Sequence, residues 1–227
     1  SATELSDTRP SPGGNIQTTI DLELQMHCEK LMENKKGVIL VGEPLTGGIL
    51  AAVSSPDYPP DFFTGLITES DWNDIRNNPD KPLINRYIQG KYIPGSIVKM
   101  ITQIALLKSQ HFNKEVKQYC PGFYQFGDRI FGCWYTEGHG ELNVTEAMAV
   151  SCDVYFYKTV KQLNLKDLNE TFNDFGFGQK TKIDIPNEHV GLVPDSDYMR
   201  KRYGKYGWSK GVLLNLAIGQ GELLVTP

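Results

Sequence analysis

The chain has 227 residues, of which 40% are hydrophobic and 22% are charged, and this length and composition suit one large globular domain with a sizeable core. Its formal net charge of -4, without any basic run, argues against a nucleic-acid-binding protein. The sequence contains no signal peptide and no apolar stretch of about 18 residues, so we expect any membrane anchor to lie upstream of residue 1.

The N-terminal part of the chain predicts a linker followed by a helix. Residues 1–14 are polar and rich in Pro and Gly, as is typical of a linker from an absent N-terminal region, and residues 15–227 would form a partial domain. We expect a short strand over residues 15–20 and then a helix with Asp21 as its N-cap. The apolar face of that helix would consist of Leu24, Cys28 and Leu31.

The next elements predict a sheet. Two β-type runs, residues 37–41 and 49–54, are joined by the turn-forming sequence EPLTGG, which predicts an antiparallel hairpin. Residues 55–92 are rich in Pro, Asp and Asn and predict a long loop with one short helix near 71–76.

A serine and a lysine begin the helix that is predicted within residues 90–108. Pro94 and Gly95 make a tight entry, and Ser96 follows at the start of an apolar-periodic run. Lys99 lies three residues further on, so both side chains would share one helix face. The pair supplies a nucleophile and a base if the lysine amine is neutral, which burial and the helix N-terminus favour. The same S-x-x-K sequence also occurs by chance, with its lysine in solvent.

Further hairpin and helix patterns follow. We expect a second hairpin over residues 124–131 and helices up to Val150, over 154–162 and over 165–175. Asn143, by its capping-box spacing to Glu146, and Asp153 would be N-cap residues. On the serine helix, the side facing the core would carry Ile97, Met100, Ile101, Ile104 and Leu107.

Motifs along nearly the whole chain occur in a particular order. They are GNIQTTIDLELQ, EPLTGGILAAVSSP, the Asn85-Arg86 pair, the S-x-x-K pair, GHG, the S-x-D sequence at Ser151, GFG and the final AIGQGELLVTP. Together they resemble the transpeptidase domain of class B penicillin-binding proteins, most closely the elongation type. The resemblance implies an α/β fold of the α+β type, like that of serine β-lactamases, with an antiparallel sheet flanked by helices and its C-terminal strands missing.

The resemblance also implies roles for four residues. Ser96 would be the acylated nucleophile and Lys99 the base, Ser151 would relay a proton to the leaving group, and Asp153 would occupy the third position of the family's S-x-N box. The implied reaction is D,D-transpeptidation of peptidoglycan stem peptides through an acyl-enzyme, without a cofactor in catalysis. Penicillins and other β-lactams would acylate the same serine.

One motif of the family, K-[ST]-G, has no counterpart in the sequence. Lys180 and Thr181 superficially resemble it, but Lys182 stands where the glycine belongs, and we expect the true box beyond Pro227. Two alternatives to an active transpeptidase therefore remain. The chain would be a non-catalytic fragment or binding module of such a protein, or a serine β-lactamase-like sensor of β-lactams.

Three cysteines and one histidine suggest a metal site. Three thiolates and an imidazole are a common zinc ligand set, although the spacing here differs from that of zinc fingers. Some elongation-type members bind zinc near the second box, so the resemblance implies a structural zinc ion held by Cys120, Cys133, His139 and Cys152. The alternative is a disulfide between Cys120 and Cys133 in an oxidising compartment.

The resemblance further implies a location and partners. The protein would lie on the periplasmic side of the bacterial inner membrane and reach the membrane only through an anchor outside this chain. Besides stem peptides and β-lactams, its partners would be a glycosyltransferase and scaffold proteins of the elongation complex, and it would bind no nucleic acid.

Overall fold

The computed structural model describes residues 13–204 and 207–227. The predicted linker thus lies outside the described residues, except for Gly13 and Gly14, which belong to no helix or strand. The chain divides into two compact units, residues 1–56 and 57–227. Throughout the described ranges, no helix combines the length and apolar character that a membrane crossing needs.

The first unit is a helix with a two-stranded sheet. Helix α1 (Leu22–Met32) begins after Asp21, whose side chain accepts a hydrogen bond from the Leu24 N–H, as predicted. Strands β1 (Gly37–Gly42) and β2 (Ile49–Ser55) pair antiparallel, which confirms the first hairpin. The buried centre of this unit consists of Cys28, Ala51 and Val53.

Two predictions for the first unit are wrong. Residues 15–20 form no strand. Thr19 Oγ1 donates to Ile49 O of β2 at 2.6 Å, but Ile16 is exposed, so no apolar face holds a ladder in register. On α1, Leu31 is exposed. Met32, one residue later, packs against the buried cluster instead.

The second unit contains the remaining elements. Its helices are α2 (Glu69–Asn77), α3 (Arg86–Gln89), α4 (Lys99–Lys108), α5 (Val144–Ala149), α6 (Asp153–Thr159), α7 (Leu165–Asp174), α8 (Ser196–Tyr203) and α9 (Gly211–Ala217). Short 3-10 helices occupy Pro60–Phe63, Gly95–Val98 and Val160–Gln162. The strands are β3 (Gln118–Cys120), β4 (Phe123–Phe126), β5 (Arg129–Gly132) and β6 (Gly140–Leu142).

All strand pairs within the described residues are antiparallel. Strand β3 pairs with β6 and β4 with β5, so the strands in residues 13–204 and 207–227 form three two-stranded sheets. The structure confirms the second hairpin, the helix near 71–76, the capping box of Asn143 and Glu146, and the helix that ends before Gly176. The mixture of helices and antiparallel strands agrees with the expected α+β class.

Helix α6 lies at the centre of the second unit. Its residues Val154, Tyr155 and Phe156 are at most 1% exposed, and helices α4 and α9 pack against it. A helix that is apolar around most of its circumference has to be surrounded on all sides. The residues at its N-terminal end, 151–153, are therefore fixed against neighbouring elements.

The predicted apolar face of α4 is partly wrong. The helix starts with a 3-10 turn, which has about 3.0 rather than 3.6 residues per turn and so shifts the face that later residues present. Ile101 is buried, but the core also receives Lys99 and Thr102, and Thr102 Oγ1 donates to Ala217 O at 2.9 Å. Three residues of the predicted face are instead exposed, namely Ile97, Met100 and Leu107.

The segment after α9, residues 218–227, is hydrogen-bonded through its backbone to the turn that carries Ser96. The Gly95 N–H donates to Gly219 O at 2.9 Å, and Tyr92 and Val225 exchange two backbone hydrogen bonds of 2.8 Å. Gly219 has φ +71°, and a Cβ at this position would collide with the carbonyl oxygen of Gly95. The close approach of the two backbones therefore requires glycine at position 219.

We expect Gly219→Ala to lower the free energy of unfolding by about 1 to 3 kcal/mol, because the substitution adds backbone strain and forces the Ser96 turn away. Urea denaturation of the purified chain measures this change. Gly65→Ala is the control, since a Cβ at Gly65 meets open space. Equal effects of the two substitutions would contradict the close approach.

Candidate active site

A cleft of about 660 Å³ opens in the second unit, within the size range of sites for small molecules. Three of the predicted catalytic residues, Ser96, Ser151 and Asp153, line it. Ser96 itself is exposed, at the first 3-10 turn before α4. Serine-based acyl transfer requires such access, because the hydroxyl has to reach a substrate carbonyl.

Lys99 lies beneath the cleft and is 1% exposed. Its Nζ atom donates to Ser151 O at 2.7 Å, to Ser151 Oγ at 3.0 Å and to Asp153 Oδ1 at 2.6 Å. Three acceptors, one of them a carboxylate, match the three N–H donors of a charged ammonium group. The neutral amine expected from the sequence therefore does not fit the contacts of this state.

The structure brings Ser96 and Lys99 to the same region without joining them directly. Among the described residues, no hydrogen bond links Ser96 Oγ to Lys99 Nζ. The lysine is instead tied to the S-x-D segment more than fifty residues away. Any proton transfer from Ser96 to Lys99 thus needs a rearrangement of the contacts around Nζ.

Asp153 does not act as a helix cap, contrary to the sequence prediction. Helix α6 begins at Asp153 and its N-cap is Cys152, which makes no capping hydrogen bond from its side chain. The Asp153 carboxylate faces Lys99 with Oδ1 and accepts from the Trp134 N–H with Oδ2, at 3.1 Å. The buried ammonium group competes successfully for the carboxylate because an unpaired buried charge would cost much more than an uncapped helix end.

Ser151 has an unusual backbone conformation. Its φ is +52°, a left-handed value that few residues other than glycine adopt. The neighbouring backbone holds it there, since Ser151 N donates to Met148 O at 3.2 Å and Cys152 N to Ala147 O at 2.9 Å. This turn between α5 and α6 places the Ser151 side chain at the cleft and over Lys99.

The four predicted metal ligands form a cluster. Their ligand atoms all lie within 4.8 Å of one another, and His139 Nδ1 is 3.7 Å from Cys120 Sγ and 3.5 Å from Cys133 Sγ. Tetrahedral zinc with three sulfur ligands and one nitrogen ligand separates its ligand atoms by roughly 3.5 to 3.8 Å. All four cysteines of the chain are free thiols, so the alternative disulfide between Cys120 and Cys133 does not form here.

Burial and hydrogen bonding act in opposite directions on the thiols. Burial tends to raise the pKa of Cys120, but hydrogen bonds from the His139 and Gly122 backbone and from the other two thiols of the cluster outweigh it and lower that pKa. At Cys152 burial dominates and raises the pKa strongly. The cluster therefore contains thiols in distinct environments, with Cys152 the most deeply enclosed.

Three further side chains line the cleft that the sequence patterns did not single out: Trp134, Tyr157 and Asn215. Gln220, from the final AIGQGELLVTP motif, lines it as well. Burial raises the pKa of the Tyr157 hydroxyl strongly, with a further contribution from Asp153. Of the three, only Trp134 carried a sequence signal, namely its position directly after a predicted metal ligand. The others reach the cleft through packing of α6 and α9, which local patterns do not reveal.

Comparisons with known proteins define the class. Residues 37–227 match the penicillin-binding protein transpeptidase domain. The chain belongs to this family, which confirms the resemblance and the fold class predicted from the sequence.

Particular relatives within this family are of the MrdA and PBP2 type. The chain is 34% identical to peptidoglycan D,D-transpeptidase MrdA of Escherichia coli K12, over 99% of this chain and 36% of that protein. It is 37% identical to MrdA of Acinetobacter baumannii, over 96% of this chain and 33% of that protein. The solved penicillin-binding protein PBP2 of Helicobacter pylori superimposes with a TM-score of 0.86 at 39% identity, over 92% of this chain and 39% of that one. The chain thus spans about a third of the length of the curated relatives it matches.

We expect the contact between Lys99 and Asp153 to be strongly coupled. Lys99→Met or Asp153→Leu alone should lower the free energy of unfolding by about 3 to 5 kcal/mol, because each leaves an uncompensated buried charge. The double variant should lose less than the sum of the two. Urea denaturation of the four proteins gives the coupling energy.

The exposed pair of Lys108 and Asp174, with side chains 55% and 61% exposed, is the matched control. Lys108→Met should cost about 1 kcal/mol or less. Additive effects at Lys99 and Asp153 would contradict a buried ion pair.

Proposed function

We propose that this chain carries the acyl-transfer machinery of a peptidoglycan D,D-transpeptidase that acts in cell elongation. The observation that carries the proposal is the buried Lys99, which contacts Ser151 and Asp153 beneath a cleft onto which Ser96 opens. Ser96 and Lys99 match the S-x-x-K box of the family to which the chain belongs, and Ser151 and Asp153 stand at the S-x-N box with aspartate in place of asparagine. The named activity of the MrdA relatives further supports it.

The proposed reaction has two acyl transfers. Ser96 Oγ attacks the carbonyl carbon of the bond between the two D-Ala residues of a stem peptide, and the Oγ–C bond forms as the hydroxyl proton leaves. The C–N bond then breaks and releases D-Ala, leaving the peptide as an ester on Ser96. An amine of a neighbouring strand attacks this ester, forms the cross-link and returns the proton to Ser96.

Lys99, Ser151 and Asp153 would carry the protons. Because Nζ already has three acceptors, Lys99 accepts the Ser96 proton only as it passes one of its own to Asp153 Oδ1. Ser151 Oγ then donates to the departing amine and regains a proton from Lys99, and Lys99 recovers its third proton from Asp153. In this proposal the carboxylate of Asp153 stores a proton, which an asparagine at this position does not do.

The backbone at Ser96 would stabilise the oxyanion. The first N–H groups of a helix have no acceptor within the helix, and Ser96 is at the first turn of its 3-10 helix. Its N–H is thus one donor for the tetrahedral intermediate, whose negative charge the helix end also favours.

Acylation by penicillin tests the proposal. Using the longest natural polypeptide that contains this chain, we expect a penicillin to add its mass covalently to the protein and Ser96→Ala to abolish the adduct. Intact-mass spectrometry measures both. A wild-type protein without an adduct would favour a non-catalytic binding module, and fast release of hydrolysed penicillin would favour the serine β-lactamase-like alternative.

We also propose that the Cys120, Cys133, His139 and Cys152 cluster binds one structural zinc ion. The donor set and the spacing of its atoms support zinc, and the burial of the three thiols is costly for thiolates without a cation. Four protein ligands leave no position open for a water molecule, so the ion would have no direct part in the reaction. It would hold the ends of β3 and β5 against the turn that bears Ser151.

Metal analysis of protein purified under reducing conditions should find about one zinc per chain. His139→Ala should reduce this content at least severalfold and lower the melting temperature, since metal binding contributes to folding stability. Cys28→Ser is the control, because Cys28 is a buried thiol of the first unit outside the cluster. Zinc well below one per wild-type chain would contradict the proposal.

The relatives suggest a location and partners as well. One solved relative is a complex of Helicobacter pylori PBP2 with MreC, and another structure concerns a peptidoglycan synthase complex that coordinates polymerisation and cross-linking. We infer that the protein works on the periplasmic side of the inner membrane with a scaffold protein and a glycosyltransferase. Stem peptides would be its substrates and β-lactams its inhibitors.

A further inference from the structure

Trp134 contacts Asp153, Val150 and His139, all next to or within the candidate site. It follows Cys133 at the end of β5, lines the cleft, and is 64% exposed. Its backbone N–H donates to Asp153 Oδ2 at 3.1 Å, and its indole Nε1–H donates to Val150 O at 3.0 Å. An aromatic side chain this exposed gains little hydrophobic free energy from burial. Its two hydrogen bonds are therefore its most specific contacts.

The two hydrogen bonds of Trp134 are made to residues on either side of Ser151, namely Val150 and Asp153. The backbone contact orients Asp153 and is independent of the side chain at position 134. The indole contact holds the carbonyl group directly before Ser151. Trp134 is therefore hydrogen-bonded to the chain on both sides of Ser151, at Val150 and at Asp153. Only the bond to Val150 depends on the indole.

Ser151 requires stabilising contacts from its surroundings, because its left-handed φ of +52° is a strained conformation. Strained residues persist only where surrounding contacts over-determine them. Turning the peptide group between Val150 and Ser151 would relieve the strain, and it would break the indole hydrogen bond at the same time. It would also disturb the hydrogen bond of 3.0 Å between Lys99 Nζ and Ser151 Oγ.

The ring of Trp134 packs against His139 of the cysteine and histidine cluster. Its centroid lies 5.3 Å from that of His139 in an edge-to-face arrangement, a favourable geometry for aromatic rings. Cys133 precedes it in the chain. The indole thus contacts both the cluster and the carbonyl group directly before Ser151.

We propose that Trp134 is a positioning residue for Ser151, holding it through the indole hydrogen bond to Val150 O. The effect on acylation rests on the function proposed above, because Ser151 matters only if it relays protons. The effect on the geometry of residues 150–153 does not rest on it. Two measurements therefore separate the two proposals.

The sharpest variant replaces Trp134 with β-(3-benzothienyl)alanine, in which sulfur takes the place of the indole N–H. Shape, ring contact and the backbone N–H remain, and only the donor is lost. The same replacement at Trp72, in α2 and outside the cleft, is the matched control. Trp134→Phe, which also lacks the donor, gives the same comparison if the first variant does not fold.

The first measurement is saturable acylation by a fluorescent penicillin, made on the longest natural polypeptide that contains this chain. We expect the limiting acylation rate constant to fall roughly 3- to 10-fold, as is typical for the loss of one hydrogen bond. The half-saturation concentration should change less than about twofold, because the loss acts after binding. An unchanged rate constant, or an equal effect at Trp72, would overturn the positioning role.

The second measurement is the 1H–15N spectrum of the 227-residue chain. The amide signals of residues 150–153 should shift in the Trp134 variant and stay in place in the Trp72 variant. Unchanged signals would overturn the inference whatever the acylation result. If the wild-type protein shows no acylation while these signals do shift, the proposed function fails and the positioning role stands.

Discussion

The buried contact between Lys99 Nζ and Asp153 Oδ1, 2.6 Å long, joins residues 54 positions apart in the chain. Removing two charges from water is costly, and a buried pair recovers this cost only with good geometry and further hydrogen bonds. Lys99 has those bonds in Ser151, and Asp153 has one in the Trp134 backbone. The pair consequently determines which way α4 faces α6, and with it where the Ser96 turn meets the cleft.

Two further contacts hold residues of the cleft. The segment after α9 packs its Gly219 backbone against Gly95 and keeps the turn that carries Ser96 in place. The cysteine and histidine cluster brings the ends of β3 and β5 to Cys152, between Ser151 and Asp153. Ser96 is thus exposed on a turn whose backbone is held by a neighbouring segment.

Local sequence patterns predicted those features that depend on neighbouring residues. The Asp21 cap, the capping box of Asn143 and Glu146, and both hairpins follow from hydrogen bonds and turns over a few positions. Patterns failed where a distant partner changed the outcome. Asp153 has the chemistry of an N-cap, yet its carboxylate pairs with Lys99, because satisfying a buried ammonium group outweighs capping a helix.

The candidate site divides in the same way. From the sequence alone came the residue types, their order, the resemblance to penicillin-binding transpeptidases that the comparisons confirmed, and the four cysteine and histidine side chains that form one cluster. Tertiary structure alone decided that Lys99 points to Ser151 and Asp153, that Ile97 and Met100 are exposed, and that Trp134 contacts Val150 and Asp153. The physical reason is range: periodicity and capping act within a turn or two of the chain, whereas the partner of a buried charge is chosen by the packing of the whole core.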